Sequence, residues 1–85
     1  MKYSVYVLYC FSKNRYYVGY TQNPILRLFE HNSGATPSTR PGIPWEIVFI
    51  EEFDDKTSAI KREIKIKKMK SRKYIEKLIN GYSNG

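Results

Sequence analysis

Tyr6, Tyr17, Arg27, His31 and Glu63 are the side chains of this 85-residue sequence whose types and order could perform chemistry together. They supply the parts of a one-metal phosphodiesterase: candidate bases, a phosphate clamp and one carboxylate for a cation. A phenol has an ordinary pKa near ~10 and is a poor base at neutral pH. A neighbouring cation and a guanidinium favour its phenolate, which is the expectation for Tyr6 and Tyr17. The planar fork of Arg27 matches two phosphate oxygens and keeps its charge. His31, one turn further along the same helix edge, can bond a phosphate, orient water or move a proton. Glu63 interrupts a basic helix; a single carboxylate suffices for Mg²⁺ (or Mn²⁺), whose shell is completed by water and phosphate. The plain alternatives are packing roles for the tyrosines, a solvated Arg27, a surface His31 and an i,i+4 pair of Glu63 with Lys67.

These residues need a scaffold, and the sequence outlines one. Residues 3–10 and 15–20 are β-branched and aromatic and read as two strands joined by turn residues Ser12-Lys13-Asn14. An even-numbered connection places Tyr6 and Leu8 on one face with Tyr17 and Gly19, and Val5, Val7 and Val18 on the other, toward the core. Asn23-Pro24 starts a helix that runs to His31 or Asn32 and stops at Ser33-Gly34. Ile25, Leu28 and Phe29 are its expected apolar face. Residues 34–44 hold three prolines and two glycines and read as a loop. A third strand covers 45–53, Asp54-Asp55 caps a helix over about 56–69, and Ser71 caps another over about 72–80. Residues 81–85 are expected to fray, leaving 1–80 as one domain. The order ββαβαα gives an α+β fold, a small three-stranded antiparallel sheet flanked by helices.

The net charge is +7, from 15 Lys+Arg against 8 Asp+Glu, which favours a polyanionic partner. Eight of those cations fall within positions 61–73, offset there only by Glu63. Lys61, Arg62, Lys65, Lys67 and Lys68 therefore join the candidate nucleic-acid contacts, with Thr39 and Arg40 on the 34–44 loop. Gly19, lacking a side chain, lets a phosphate or a helix approach the backbone. Glu51, Glu52, Asp54 and Asp55 form a rival acidic cluster, better suited to capping than to a metal. Cys10 is the sole cysteine, which excludes an internal disulfide and a cysteine zinc site. No apolar run approaches the ~20 residues of a membrane span, and with no leader-like start the expected location is cytoplasmic.

At these residues the chain resembles the GIY-YIG nuclease superfamily. Ser4-Val5-Tyr6 stands where the first triplet belongs, with Ser4 in place of its glycine, and Tyr17-Val18-Gly19 where the second does. The stretches 19–24, 27–34 and 58–68 are similar to the small stand-alone members called URI-type domain proteins, and the likeness covers about residues 3–79. It implies hydrolysis of a nucleic-acid phosphodiester with one divalent ion held by Glu63. By the same match Tyr17 or Tyr6 helps activate water, Arg27 stabilises the pentavalent phosphate and His31 occupies a position that carries histidine or tyrosine. Asn80 is the candidate for an asparagine that larger relatives place after the glutamate. The resulting expectation is a magnesium-dependent endonuclease acting on DNA, in repair or recombination, with a protein partner supplying specificity. Its rivals are a non-catalytic nucleic-acid-binding module on the same scaffold, and a domain whose basic helices dock on an acidic protein.

Overall fold

The computed structural model describes residues 2–81. β1 (Tyr3–Cys10) and β2 (Arg15–Thr21) form a hairpin; α1 (Pro24–Asn32) and a 3₁₀ helix (Pro37–Gly42) follow; then come β3 (Trp45–Phe53), α2 (Lys56–Met69) and α3 (Arg72–Gly81). The sheet is antiparallel throughout, in the order β2-β1-β3. The α+β expectation and its strand and helix boundaries hold. Gly81 belongs to α3, and the expected frayed residues 82–85 lie outside the described residues.

The hairpin register follows from the turn. Cys10 pairs with Arg15 across residues 11–14, and Asn14 takes the left-handed backbone at φ 53° that asparagine tolerates. Counting back sets Leu8 opposite Tyr17 and Tyr6 opposite Gly19. Side chains alternate along β1, so each face of this central strand feeds a separate core. On one face Val5, Val7, Val18 and Phe49 pack against Ala59 and Ile66 of α2 and Leu78 of α3. On the other, Tyr6, Leu8, Cys10 and Trp45 pack with Tyr17, Leu28 and Ile47. A bulge in β3 between the partners of Val7 and Leu8 shifts the register there and adds Val48 to the first core.

Local chemistry fixes each helix. Asn23 accepts from the Leu26 N–H at 3.1 Å with Pro24 at the first turn, and Asp55 accepts from the Ser58 N–H at 2.8 Å. Ser71 Oγ accepts from the Tyr74 N–H at 3.1 Å. Each such cap is worth about 1 kcal/mol.

Two expectations fail on the α1 side. Ile25 and Phe29 are not the buried face; they are 72% and 68% exposed, and α1 instead turns Leu28 and the polar pair Arg27 and His31 inward. The reason is that the sheet and the following segment offer polar partners there, so a polar helix face can be buried without loss. Residues 34–44 are also not plain loop. The 3₁₀ helix within them is held by Trp45, whose indole N–H donates to the Thr39 carbonyl at 2.7 Å. Asn32 anchors the same region by bonding both the N–H (2.7 Å) and the carbonyl (3.0 Å) of Trp45.

Candidate active site

Tyr6 is the point where the predicted residues meet. It projects from the middle of β1 and is almost fully buried. Its hydroxyl lies 3.0 Å from His31 Nε2, and the Arg27 guanidinium is near enough for its positive charge to act on it. Tyr17, from the partner strand, stacks its ring edge on His31 at a centroid distance of 4.9 Å and lies 6.4 Å from both Tyr6 and Trp45. Arg27 also donates to Glu30 at 2.9 Å, one turn along α1. Glu63 contributes through its charge, which bears on the Tyr6 hydroxyl from α2. The structure thus brings Tyr6, Tyr17, Arg27 and His31 into contact and sets Glu63 within electrostatic reach.

For Tyr6 the protein's own groups oppose a phenolate. Burial pushes the Tyr6 phenol up to about 12; the nearby Tyr17 and Glu63 add to this, and the nearby Arg27 only partly offsets it. Tyr6 is therefore a neutral phenol at physiological pH. His31 is held below the usual imidazole range by burial and by the Arg27 charge, with Glu30 opposing, so the ring is neutral as well. Arg27 is raised, first by Glu30 and then by Tyr6, and stays a fixed positive charge. Of the two phenols only Tyr17 is part-exposed, which makes it the one that solvent reaches.

Gly19 has a role that the sequence did not suggest. A Cβ there would sit 2.6 Å from the Tyr6 hydroxyl oxygen and 2.8 Å from Cζ. Its bare backbone is occupied by the Tyr6 ring rather than by a phosphate or a helix. Thr39 likewise is not at the surface. It is 1% exposed, its hydroxyl lies 2.9 Å from His31 Nδ1 and donates to the Thr36 carbonyl at 3.1 Å, so it cannot touch nucleic acid. Arg40 is exposed but braces the loop through its Nε, 2.7 Å from the Gly34 carbonyl.

The basic helix divides in two. Arg62 turns inward, pairing with Glu51 at 2.9 Å and donating to the Tyr74 hydroxyl at 3.1 Å, and so ties α2 to β3 and α3. Lys67 pairs with Glu63 at 3.0 Å, the plain alternative foreseen for that acid. Lys61, Lys65 and Lys68 remain exposed at one-turn and two-turn spacing, lining with Ile64 and Met69 a groove of about 460 Å³. Ile64, 51% exposed, lies on the solvent side of α2, whose core face is formed by Ala59 and Ile66.

The rival acidic cluster does not form a site. Glu51 is paired with Arg62, Asp54 with Lys2 and Asp55 with the start of α2, and among the described residues no group of three His, Cys, Asp or Glu gathers to hold a metal. Asn80 lines a cavity between α2 and α3 with Met69 and Tyr74 and stands apart from the Tyr6 cluster. Sequence reasoning missed Glu30 and Thr39 as partners of the site. The i,i+3 spacing of Arg27 and Glu30 could have revealed the first; nothing local signals the second. Among the described residues, no helix is long and apolar enough to cross a membrane.

Comparison with known proteins shows the family and the fold. The family model described as the GIY-YIG catalytic domain matches residues 2–77. A UPF0213 protein of Natronomonas pharaonis is 42% identical over 76 residues, spanning 88% of this chain and 87% of that one. A UPF0213 protein of Halobacterium salinarum is 41% identical over 66 residues, 76% of this chain and 84% of that one. A homologue of the structure-specific endonuclease subunit SLX1 from Leishmania infantum is 43% identical over 53 residues, which are 56% of this chain and only 8% of the larger protein. The solution NMR structure of a UPF0213 protein from Bacillus halodurans superposes with a TM-score of 0.60 at 31% identity, covering 99% of this chain and 93% of that one.

Proposed function

This chain belongs to the GIY-YIG family of nuclease domains, and on that basis we propose that it is a cytoplasmic, divalent-metal-dependent endonuclease that hydrolyses DNA phosphodiesters in repair or recombination. The observation that carries the reading is the convergence of Arg27 and His31 on the Tyr6 hydroxyl, beside Tyr17 and within reach of the Glu63 charge. Arg27 binds the scissile phosphate and neutralises the charge that grows as the phosphorus becomes pentavalent. It is pre-oriented by Glu30 and Tyr6, so little is lost in aligning it. Tyr17 meets the attacking water. Tyr6 and His31 form the buried wall behind it, holding Arg27 and the Tyr17 ring in place.

Glu63 fits a one-carboxylate ion site: its side chain is largely shielded, and its present partner, Lys67, is a half-exposed cation that an ion can displace. When bound there, Mg²⁺ or Mn²⁺ supplies Lewis-acid polarisation of a phosphate oxygen. Lys61, Lys65 and Lys68 carry the flanking DNA strand. The SLX1 relative is named as a subunit of a structure-specific nuclease; by analogy, a protein partner supplies specificity here and branched DNA is the substrate to try first.

The Glu63–Lys67 pair also favours a second reading, a nucleic-acid-binding module that cuts nothing. Incubating labelled single-stranded, duplex and branched DNA with Mg²⁺ separates the two. Cleavage by the wild type that is lost in Glu63→Ala and Arg27→Ala supports the nuclease. Salt-sensitive binding without metal-dependent cleavage supports the binding module, and cleavage undiminished in both variants removes the assigned site.

A further inference from the structure

The hydrogen bonds behind the site form one buried chain: the Thr36 carbonyl, the Thr39 hydroxyl, the His31 ring and the Tyr6 hydroxyl, with the charge of Arg27 beyond it. Each end constrains where the protons lie. The Thr36 carbonyl can only accept, so the one hydroxyl proton of Thr39 goes to it. Thr39 Oγ1 is then an acceptor toward His31, and His31 Nδ1 must carry the hydrogen. At the other end the positive charge of Arg27, a group that carries only donors, acts on the Tyr6 oxygen and repels its proton, which therefore points to His31. His31 Nε2 must therefore be the unprotonated nitrogen. The hydrogen bonds at the Thr39 end demand this neutral tautomer, and the Arg27 charge at the Tyr6 end favours the same one.

We propose that Thr39 is a positioning residue of the nuclease site, locking His31 as the Nδ1–H tautomer so that Nε2 takes the Tyr6 proton and turns the Tyr6 oxygen toward Arg27. The claim about activity rests on the nuclease reading above; the claim about the tautomer does not. The chain orients and does not conduct: it terminates on a carbonyl, which has no proton to pass on. Burial enforces it, since Tyr6, His31 and Thr39 are all within 2% of complete exclusion from solvent and water cannot substitute for a missing partner. Without the Thr39 hydroxyl, the alternative Nε2–H tautomer would put two protons between His31 and Tyr6. The Tyr6 hydroxyl would then have to rotate away, toward the positive charge of Arg27, which repels it.

The sequence contains a single histidine, so the ring-nitrogen spectrum of ¹⁵N-labelled protein reports His31 alone. Long-range ¹H–¹⁵N correlation at neutral pH should show a protonated Nδ1 and an unprotonated Nε2. Thr39→Val, which keeps the shape and removes the hydroxyl, should mix or reverse the two signals; Thr39→Ser should restore them. Cleavage of branched DNA should fall in Thr39→Val, in kcat rather than KM, and recover in Thr39→Ser. An Nε2–H ring in the wild type, or an unchanged ring spectrum in Thr39→Val, overturns the proposal. Should Thr39→Val not fold, Tyr6→Phe decides: retention of Nδ1–H without the Tyr6 partner supports the lock, and a switch to Nε2–H overturns it. A wild type that cuts no nucleic acid removes the nuclease reading while the ring spectrum still judges the tautomer.

Discussion

The Tyr6 ring lies directly over Gly19, its cross-strand partner, so closely that a Cβ on Gly19 would fall 2.6 Å from the phenolic oxygen. The pairing is a consequence of the turn at residues 11–14, which sets the register, and it explains why a residue on β2 governs a hydroxyl on β1. Backbone contact on this side, Arg27 on another and His31 on a third leave the phenol one position.

Gly19→Ala should therefore act on chemistry through geometry. The methyl group displaces Tyr6, at a cost of about 1–3 kcal/mol in stability for overpacking a tight core. A shift near 1 Å at the hydroxyl costs about 100-fold in cleavage rate. Urea unfolding and single-turnover cleavage at saturating enzyme measure the two effects separately. A stable Gly19→Ala protein with unchanged cleavage would show that the position of Tyr6 is irrelevant to the reaction.

Lys67 competes with any cation for Glu63. The pair is i,i+4 on one helix with Lys67 half exposed, and such pairs are worth only ~0.3–0.5 kcal/mol. Lys67→Ala should then strengthen Mg²⁺ or Mn²⁺ binding about twofold, while Glu63→Gln abolishes it. Amide shifts near Glu63 under Mg²⁺ titration, or Mn²⁺ line broadening, provide the readout. Identical ion affinity in wild type and Glu63→Gln would place the ion elsewhere.

How far the sequence foretold this arrangement depends on what each residue answers to. The β1 and β2 faces were legible because alternation has a period of two and the turn length is visible, so Val5, Val7 and Val18 separated cleanly from Tyr6 and Leu8. Caps at Asn23, Asp55 and Ser71 were legible because they are local. The facing of α1 was not. Apolar counting selects Ile25 and Phe29, yet the sheet-facing positions belong to Arg27, Leu28 and His31, whose polar atoms find partners from β1 and the 3₁₀ helix. Thr39 was illegible for the same reason: its burial depends on Trp45 and His31, six and eight residues away but on other elements. Within α2, the split between inward Arg62 and outward Lys61, Lys65 and Lys68 follows from helical phase, once Ala59 and Ile66 are known to face the core.

Stability should decline on mild acidification because of His31. Its folded pKa is depressed below the ordinary 6.5 of a histidine, by burial first and then by the Arg27 charge. The unfolded chain therefore takes up a proton at a higher pH than the folded one. The stabilisation is fully present above ~6.5 and is lost as pH falls from there through the depressed folded value. The groups facing the ring are Tyr6, Tyr17, Thr39, Arg27 and Glu30, of which Arg27 opposes a second positive charge and Glu30 supports it. The urea midpoint should fall between pH 7.5 and 5 in the wild type and be flatter in His31→Gln. The depressed carboxyls of Asp54 and Asp55, each lowered by its hydrogen-bonded partner, act in the same direction but below their ordinary 3.8. Equal slopes in the two proteins over the upper window would mean that His31 titrates as it does in the unfolded chain.

The α2 cations should separate by function under salt. Lys61, Lys65 and Lys68 are exposed on one face, so each that contacts a phosphate releases counterions and adds ~0.9 to the logarithmic salt slope on duplex DNA. Their triple replacement by Ala should lower that slope by about 2–3 and weaken binding to all duplex sequences alike, while leaving cleavage at saturating DNA close to wild type. Arg62→Ala should do the reverse. It removes the partner of Glu51 and the donor to Tyr74 in a part-buried position, costing about 1–3 kcal/mol of stability with little change in salt slope. Fluorescence anisotropy across a salt series, paired with urea unfolding, tests both variants together. A salt slope lost in Arg62→Ala and kept in the triple lysine variant would reverse the assignment, moving the DNA to the inward side of α2.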